Sequence, residues 1–277
     1  MYAEANYLAY YWNGNDWIQI PGSPENIFLM AAHPVNGDLY VFDYILDEVL
    51  KWDGNSWTTE IETGFYFGDA REMEIGSDGT IYFSGSFSFV FRGEYNPTCS
   101  GQVVYADPDS TTFSCQDFGE GAVVDAIAAD PTSDAVYVGG QFETGWGSHN
   151  ITSMNGGYIE GVAGSVFSID VDDEGVIYVG GEITSTLTNG SLDQLTPAGI
   201  ASWASGDWTT YPAVIEGDEW NNERASNIAA IGSGEFYAAG GWYDFPGDTS
   251  YRFVHWDGTG WEVGNIYNES NNPAIWS

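Results

Sequence analysis

The chain has 277 residues, of which 43% are hydrophobic and 16% aromatic, enough to fill one large core. Its 41 acidic residues against five Lys and Arg give a formal net charge of −36 at pH 7. This charge argues against nucleic acid and anionic membranes as partners, and without an apolar run of about 18 residues no membrane-spanning segment is expected.

The chain opens with a hairpin predicted over residues 6–20, in which Trp12 and Trp17 stand five residues apart. Between them lie Asn, Gly and Asp, residue types that tolerate the positive φ of a tight turn. Three further pairs repeat the motif: Trp52 and Trp57, Trp203 and Trp208, and Trp256 and Trp261. The repeat predicts four aromatic hairpins, and we expect their indole rings to be buried between sheets.

Five longer units follow the first hairpin, each with a tyrosine in an apolar run. These tyrosines are residues 40, 82, 137, 178 and 237, spaced 42, 55, 41 and 59 residues apart. A turn and another short apolar strand precede each run, so that one unit contains four strands, A to D. The units are predicted over residues 27–61, 70–117, 123–160, 166–211 and 225–263. A four-strand repeat of this length is typical of β-propeller blades.

The repeat resembles that of the kelch family of propellers, in which an apolar run leads into a glycine pair and an aromatic hairpin closes the blade. The glycine pairs here are Gly139-Gly140, Gly180-Gly181 and Gly240-Gly241. Unit one departs from the pattern with Phe42-Asp43, and units two and three lack the Trp hairpin. The resemblance implies an all-β propeller and no particular function.

A ring of blades must close or leave strand edges exposed. The C-terminal segment 273–276 is predicted as one lone strand, and its pairing with the N-terminal hairpin would complete a composite sixth blade. We therefore predict an all-β fold, a single β-propeller domain of six blades over residues 1–277. Five blades with an added hairpin is the alternative.

The two cysteines, Cys99 and Cys115, lie symmetrically about a turn near residues 107–109. This symmetry predicts that they face each other and form a disulfide, which would contribute about 3 kcal/mol to stability. The alternative is two free thiols in a reducing cytosol. A disulfide favours a protein that works outside the cell.

The B–C and D–A connections are long, whereas the A–B and C–D turns are tight. Long loops of one propeller face commonly carry binding sites. We predict a ligand-binding face formed by Phe65, Tyr66, Phe67, Trp146, His149, Trp220, Trp242, Tyr243 and Phe245. The alternative is that these rings only pack the loops onto the propeller.

No Gly-x-Ser-x-Gly, His-Glu-x-x-His or phosphate-loop motif occurs in the chain, so no catalytic residue, metal site or cofactor is predicted. Calcium at Asp170, Asp172 and Asp173 is the one alternative, although this acidic turn lacks the spacing of a calcium loop. Three glycosylation sequons begin at Asn150, Asn189 and Asn268.

The scarcity of Lys beside abundant Asp and Glu resembles the proteins of halophilic archaea, where molar salt screens charges over about 3 Å. Residues 1–6 lack the features of a signal peptide, whereas the disulfide and sequons favour an extracellular protein. We expect a non-enzymatic binding or structural module on the virion surface of a virus of a halophilic archaeon, such as a tail fibre, spike or turret. Its partners would be other virion subunits and a host-surface protein or glycan. The alternative is a secreted carbohydrate-binding or carbohydrate-active propeller of a halophile or marine microbe.

Overall fold

The computed structural model describes residues 1–62, 70–90, 99–107, 113–143, 149–155, 158–189, 191–196, 198–214, 224–245 and 248–264. The chain divides into two compact units, Met1–Phe118 and Gly119–Ser277. No helix is present among the described residues, and therefore none there could cross a membrane. The prediction of one domain over the whole chain stays a prediction.

Unit 1 contains three antiparallel sheets. The first has the order β1-β2-β3, the second β4-β5-β6-β7 and the third β11-β10-β9-β8. The strands are β1 Tyr2–Ala5, β2 Leu8–Trp12, β3 Trp17–Gln19, β4 Ile27–Ala32, β5 Leu39–Asp43, β6 Glu48–Trp52, β7 Trp57–Glu62, β8 Ala70–Ile75, β9 Ile81–Val90, β10 Cys99–Ala106 and β11 Ser114–Gln116.

Unit 2 also contains three antiparallel sheets: β12-β13-β14, β15-β16-β18-β19 with β17 added beside β16, and β20-β21-β22-β23. The strands are β12 Val123–Ala129, β13 Val136–Glu143, β14 His149–Ser153, β15 Val162–Val171, β16 Ile177–Thr188, β17 Ser191–Leu195, β18 Ile200–Ala204, β19 Asp207–Thr210, β20 Arg224–Gly232, β21 Glu235–Phe245, β22 Asp248–Trp256 and β23 Trp261–Gly264.

Six small antiparallel sheets confirm the predicted fold class, an all-β propeller of six blades. Two sheets differ from the sequence prediction. The N-terminal sheet takes its third strand from Tyr2–Ala5, because a tight turn with positive φ at Asn6 and Tyr7 folds β1 back onto β2. The predicted pairing of residues 273–276 lies outside the described residues. The β12–β14 sheet has three strands in the described ranges, in keeping with the missing Trp hairpin of that unit.

Five sheets share a β-bulge in their first strand. Register shifts occur between Ile27 and Leu29, Ala70 and Glu72, Val124 and Ala126, Val166 and Ser168, and Ala225 and Asn227. A bulge leaves one residue unpaired and re-aims its side chain. Opposite the bulge, a Cβ on Gly181 or Gly240 would come within 2.0 Å of a backbone carbonyl oxygen. One glycine of each pair, Gly140, Gly181 or Gly240, is therefore needed for close approach of the first two strands.

The apolar faces of neighbouring sheets form the cores of each unit. In unit 1, Phe42 and Phe83 meet edge-on at 5.9 Å within a cluster shared by the β4–β7 and β8–β11 sheets. In unit 2, Tyr178 and Phe236 pack at 5.2 Å between the β15–β19 and β20–β23 sheets. Four of the five repeat tyrosines are buried, namely Tyr40, Tyr82, Tyr137 and Tyr178, whereas Tyr237 on β21 is only partly buried.

The tryptophan pairs differ in burial, although the sequence analysis expects all four pairs to be buried. Trp203 and Trp208 are 7% and 6% exposed, whereas Trp12 and Trp17 are 39% and 44% exposed. The prediction is confirmed for the pair on β18–β19 and wrong for the pair on β2–β3. Burial of a ring requires a neighbouring element, which the hairpin itself does not supply.

Cys115 is disulfide-bonded, and Cys99 is the only other cysteine of the sequence. The register differs from the predicted symmetry about residue 107, because Cys115 lies opposite Val104 and Cys99 lies opposite Val90 on β9. The side chain of Cys99 lies outside the described residues, so its pairing with Cys115 stays a prediction.

Candidate binding surface

Most of the predicted binding face lies outside the described residues. This holds for Phe65, Tyr66, Phe67, Trp146 and Trp220. Trp242, Tyr243 and Phe245 lie on β21, whose backbone pairs with β22, but their side chains are outside the description. His149 begins β14, and its Nδ1 lies 3.7 Å from Oε1 of Glu143. The predicted face therefore stays a prediction.

In the acidic turn that is the alternative calcium site, the carboxylate of Asp172 accepts hydrogen bonds from the protein itself. Asp172 Oδ1 accepts the N–H groups of Glu174 and Val176 at 2.9 and 2.8 Å, while its Oδ2 accepts the Tyr178 hydroxyl at 3.3 Å. Among the described residues no group of three or more His, Cys, Asp or Glu side chains is arranged to hold a metal ion. Calcium at this turn stays a prediction.

Asp170 connects two neighbouring sheets of unit 2. Its Oδ2 accepts the N–H of Ala230 on β20 at 2.7 Å, and its Oδ1 accepts the N–H of Val171 at 2.8 Å. Ser168, two residues earlier on β15, accepts the N–H of Ile228 through Oγ at 3.0 Å. Burial raises the pKa of Asp170 above its ordinary value, although the two N–H donors act in the opposite direction. This pair of side chains serves as a lateral link between sheets.

Unit 1 carries an exposed apolar surface that the sequence analysis did not identify. We name it the Tyr44 surface and define it by Tyr7, Phe28, Tyr44, Ile45 and Leu46. These side chains are 56%, 52%, 44%, 61% and 57% exposed, respectively. Scattered exposed apolar residues are ordinary, but a contiguous group of large ones commonly marks an interaction site.

The ring of Tyr44 contacts both of the other aromatic rings of the Tyr44 surface. The ring of Tyr44 lies 6.4 Å from that of Tyr7 and 6.3 Å from that of Phe28, between centroids, in tilted and edge-on arrangements. Such geometries suit aromatic side chains, whose ring edges are positive and faces negative. The rings therefore form one angled cluster and not three separate side chains.

Local backbone chemistry exposes each member of this surface. Phe28 is the unpaired residue of the β4 bulge, and Tyr7 occupies a positive-φ position of the β1–β2 turn. The buried carboxylate of Asp43 accepts the N–H groups of Ile45 and Leu46 at 2.9 and 3.0 Å, which shapes the β5–β6 turn. Each apolar side chain is consequently turned away from the core.

Backbone hydrogen bonds hold the three segments together. The Tyr7 carbonyl accepts the N–H of Ile27, and the Asn26 carbonyl accepts the N–H of Tyr44, both at 3.2 Å. A bound partner would therefore meet a surface whose segments are already positioned relative to one another.

The carboxyl group beside the Tyr44 surface is shifted toward its neutral form. Burial raises the pKa of Asp47, and the nearby charge of Asp43 raises it further. The sequence analysis did not single out residues 44–46, which lie in the connection between β5 and β6. The signal that could have found them is an aromatic and two aliphatic residues in a turn that starts at an aspartate.

No known protein family matches the chain, and no curated protein is similar to it. Several solved structures share its fold. Virginiamycin B lyase from Staphylococcus aureus has a TM-score of 0.56 and 11% identity, covering 96% of this chain and 79% of the lyase. A streptogramin B lyase has a TM-score of 0.55 and 11% identity, covering 95% of this chain and 78% of that chain. YCF48 bound to D1 peptide has a TM-score of 0.51 and 11% identity, covering 93% of this chain and 74% of that chain.

At this identity the likeness shows the fold alone, and the class is that of a β-propeller. The kelch type of repeat stays a prediction. The expectation of a protein without catalysis is wrong as an inference from motifs and fold, because two of these structures with the same fold are lyases. Short motifs need not be present when catalytic groups come from separate strands and loops of a scaffold.

Proposed function

We propose that this protein is a salt-adapted attachment module that binds the surface of a partner protein through the Tyr44 surface. The observation that carries the proposal is the cluster of five large apolar side chains, each 44–61% exposed and held by backbone hydrogen bonds. Interfaces are dominated by a few such anchors, among which aromatic residues are enriched.

The charge of the chain supports apolar attachment over electrostatic attachment. With a net charge of −36, steering by complementary charge would be strong in dilute buffer but screened over about 3 Å at molar salt. Apolar burial survives that screening, and excluded salts strengthen it. In a saline medium the Tyr44 surface is therefore suited to hold a partner.

The aliphatic pair favours a protein partner. Ile45 and Leu46 are the two most exposed members of the surface, and aliphatic side chains fit an apolar pocket of a protein better than the hydroxylated face of a sugar. The three rings favour a second candidate, carbohydrate recognition, because aromatic rings can stack on sugars. Binding assays with purified glycans and with surface protein separate the two.

The setting of this attachment, in our proposal, is the virion surface of a virus of a halophilic archaeon. The acidic composition and the disulfide bond of Cys115 support a saline, oxidising environment. Other virion subunits would hold the protein in the particle, and a host-surface protein would be the ligand. A secreted carbohydrate-binding or carbohydrate-active propeller is the alternative setting.

The test uses a double variant of the surface, Tyr44→Ser with Leu46→Ser, and measures binding of labelled protein to halophile cells and to their purified surface protein. We expect a loss of at least about 2 kcal/mol of binding free energy, typical of interface anchors, and tighter binding by the parent protein as KCl increases from about 1 to 3 M. The matched control is Leu192→Ser with Leu195→Ser, exposed leucines of unit 2. Equal binding by the two double variants would refute the Tyr44 surface.

A further inference from the structure

Two of the three glycosylation sequons lie within the described residues, and the structure places their asparagines in opposite situations. The sequons begin at Asn150 and Asn189; Asn268 lies outside the described residues. Transfer of an N-linked glycan requires an accessible side-chain amide followed two residues later by a Ser or Thr hydroxyl. The two asparagines can therefore be compared by what their amide groups do.

The amide of Asn150 is used to join strands. Its Oδ1 accepts the N–H of Phe142 at 2.9 Å, and its Nδ2 donates to the carbonyl of Val162 at 3.1 Å. Asn150 is partly buried, and Ile151 beside it is fully buried. In the folded protein this amide is held between β13 and β15 by both of its polar atoms and is not free to carry a glycan, so this sequon is structural.

Asn189 lies at the tip of the hairpin between β16 and β17. Thr188 pairs with Ser191, so Asn189 is the first residue of a two-residue connection, and it has a φ of +51°. Its backbone N–H donates to Glu160 Oε2 at 3.0 Å, which holds the turn. Within the described part of the chain its side chain makes no hydrogen bond, and both Asn189 and Ser191 are exposed.

The strand that follows Asn189, β17, has exposed apolar side chains that a glycan on the turn would cover. All five residues of β17 are exposed, and Leu192 and Leu195 are 73% and 69% exposed. An exposed edge strand with aliphatic side chains is prone to pair with other chains, and proteins commonly cover or interrupt such edges. A bulky hydrophilic group on the adjacent turn would oppose such pairing.

From these observations we propose that Asn189 is an N-linked glycan acceptor and that Asn150 is not. The inference rests on the extracellular setting of the proposed function. It does not depend on the Tyr44 surface, because the glycan position and partner binding are measured separately.

The experiment directs the full chain through the secretory pathway of a eukaryotic cell line and maps the sequon peptides by mass spectrometry. Release of glycans by an N-glycosidase in heavy-oxygen water converts each occupied asparagine into a labelled aspartate. We expect label at Asn189, complete loss of that label in Ser191→Ala, and no change in Thr152→Ala.

A positive control, Asn15→Ser, creates a new sequon that begins at Asn13 on the exposed turn of the N-terminal hairpin. Label at Asn150, or an unlabelled Asn189 in a chain whose Asn13 is labelled, would overturn the proposal. Increased self-association of Ser191→Ala relative to glycosylated parent protein, measured by light scattering, would further support the covering role. Equal self-association would remove that role.

Discussion

The hairpins β18–β19 and β2–β3 carry the same tryptophan motif but differ in burial. Trp203 pairs with Trp208, and Trp12 pairs with Trp17, with ring centroids 5.2 and 5.5 Å apart. The first pair is about 6–7% exposed and the second about 39–44%. The comparison teaches that the cross-strand pair is a local property of the hairpin, whereas the burial of its rings is not.

The neighbours of the two hairpins explain the difference. Trp203 and Trp208 belong to a core cluster of unit 2 that also contains Tyr137, Ile151 and Val179. In the N-terminal sheet the core positions are Ala9 and Ile20, and the indole rings lie outside that cluster. Removing a ring from the first hairpin creates a cavity, while removing one from the second exposes little new surface.

The largest effect is expected for Trp203→Ala. The substitution should lower the free energy of unfolding by about 3–5 kcal/mol, because the surrounding cluster cannot collapse into the space of an indole. Equilibrium denaturation with urea measures the change. A loss as small as that of Trp12→Ala would break the comparison between the hairpins.

The β15–β19 sheet also has a lateral link to β20, and Asp170→Ala tests it. The substitution leaves the N–H of Ala230 without its acceptor and should lower stability by about 1–3 kcal/mol. Burial raises the pKa of Asp170 in the folded protein, so the folded state holds the proton of this carboxyl more tightly than the unfolded chain does. The stability gained in this way is fully present below the ordinary pKa of 3.8 and is lost as the pH increases through the raised pKa. Thermal unfolding should therefore show a larger loss at about pH 4 than at about pH 8.

Asp53 supplies the control of opposite sign. N–H groups of Ser56 and Asn55 lower the pKa of this exposed carboxyl, so its contribution is present above the ordinary pKa and lost as pH falls through the lowered value. The loss on Asp53→Ala should therefore increase with pH. The same trend for both variants would show that the burial of Asp170 does not govern its titration.

A smaller effect is expected for Trp261→Phe. The Trp261 Nε1–H donates to the carbonyl of Pro212 at 2.8 Å, and Trp57 makes the same contact with Pro21 at 3.1 Å. Loss of this bond should lower the free energy of unfolding by about 1 kcal/mol. Chemical denaturation of Trp261→Phe and Trp57→Phe should give similar values, and a negligible loss in both would show that the bond is not stabilising.

The smallest effect is expected for Trp12→Ala. Trp12 is 39% exposed and its ring contacts that of Trp17, so the free energy of unfolding should change by less than about 1 kcal/mol, the scale of a cross-strand pair. The measurement uses the same urea series as Trp203→Ala. A loss of several kcal/mol would show that the pair on β2–β3 is covered in solution.

Periodicity and turn chemistry predicted most of the strands. The Tyr runs became β5, β9, β13, β16 and β21, and each Trp hairpin formed with its turn where Gly, Asn, Asp or Ser stands between the rings. The Tyr44 surface was not predictable in the same way. Whether Phe28 faces the core or solvent depends on the bulge in β4, where the pairing with β5 shifts by one residue. The alternation of apolar and polar residues in the sequence does not reveal that register shift.

By itself the sequence determined the strand repeat, the hairpin turns and the acidic character, because these depend on side-chain volume, φ tolerance and ionisation within a few residues. Only the tertiary structure decided which Trp pairs are buried, how Cys115 is placed opposite Val104, and why Asn150 is engaged while Asn189 is exposed. Each of these properties depends on elements distant in the chain. Side chains with the same local preferences therefore differ in burial and hydrogen bonding, because the fold gives them different neighbours.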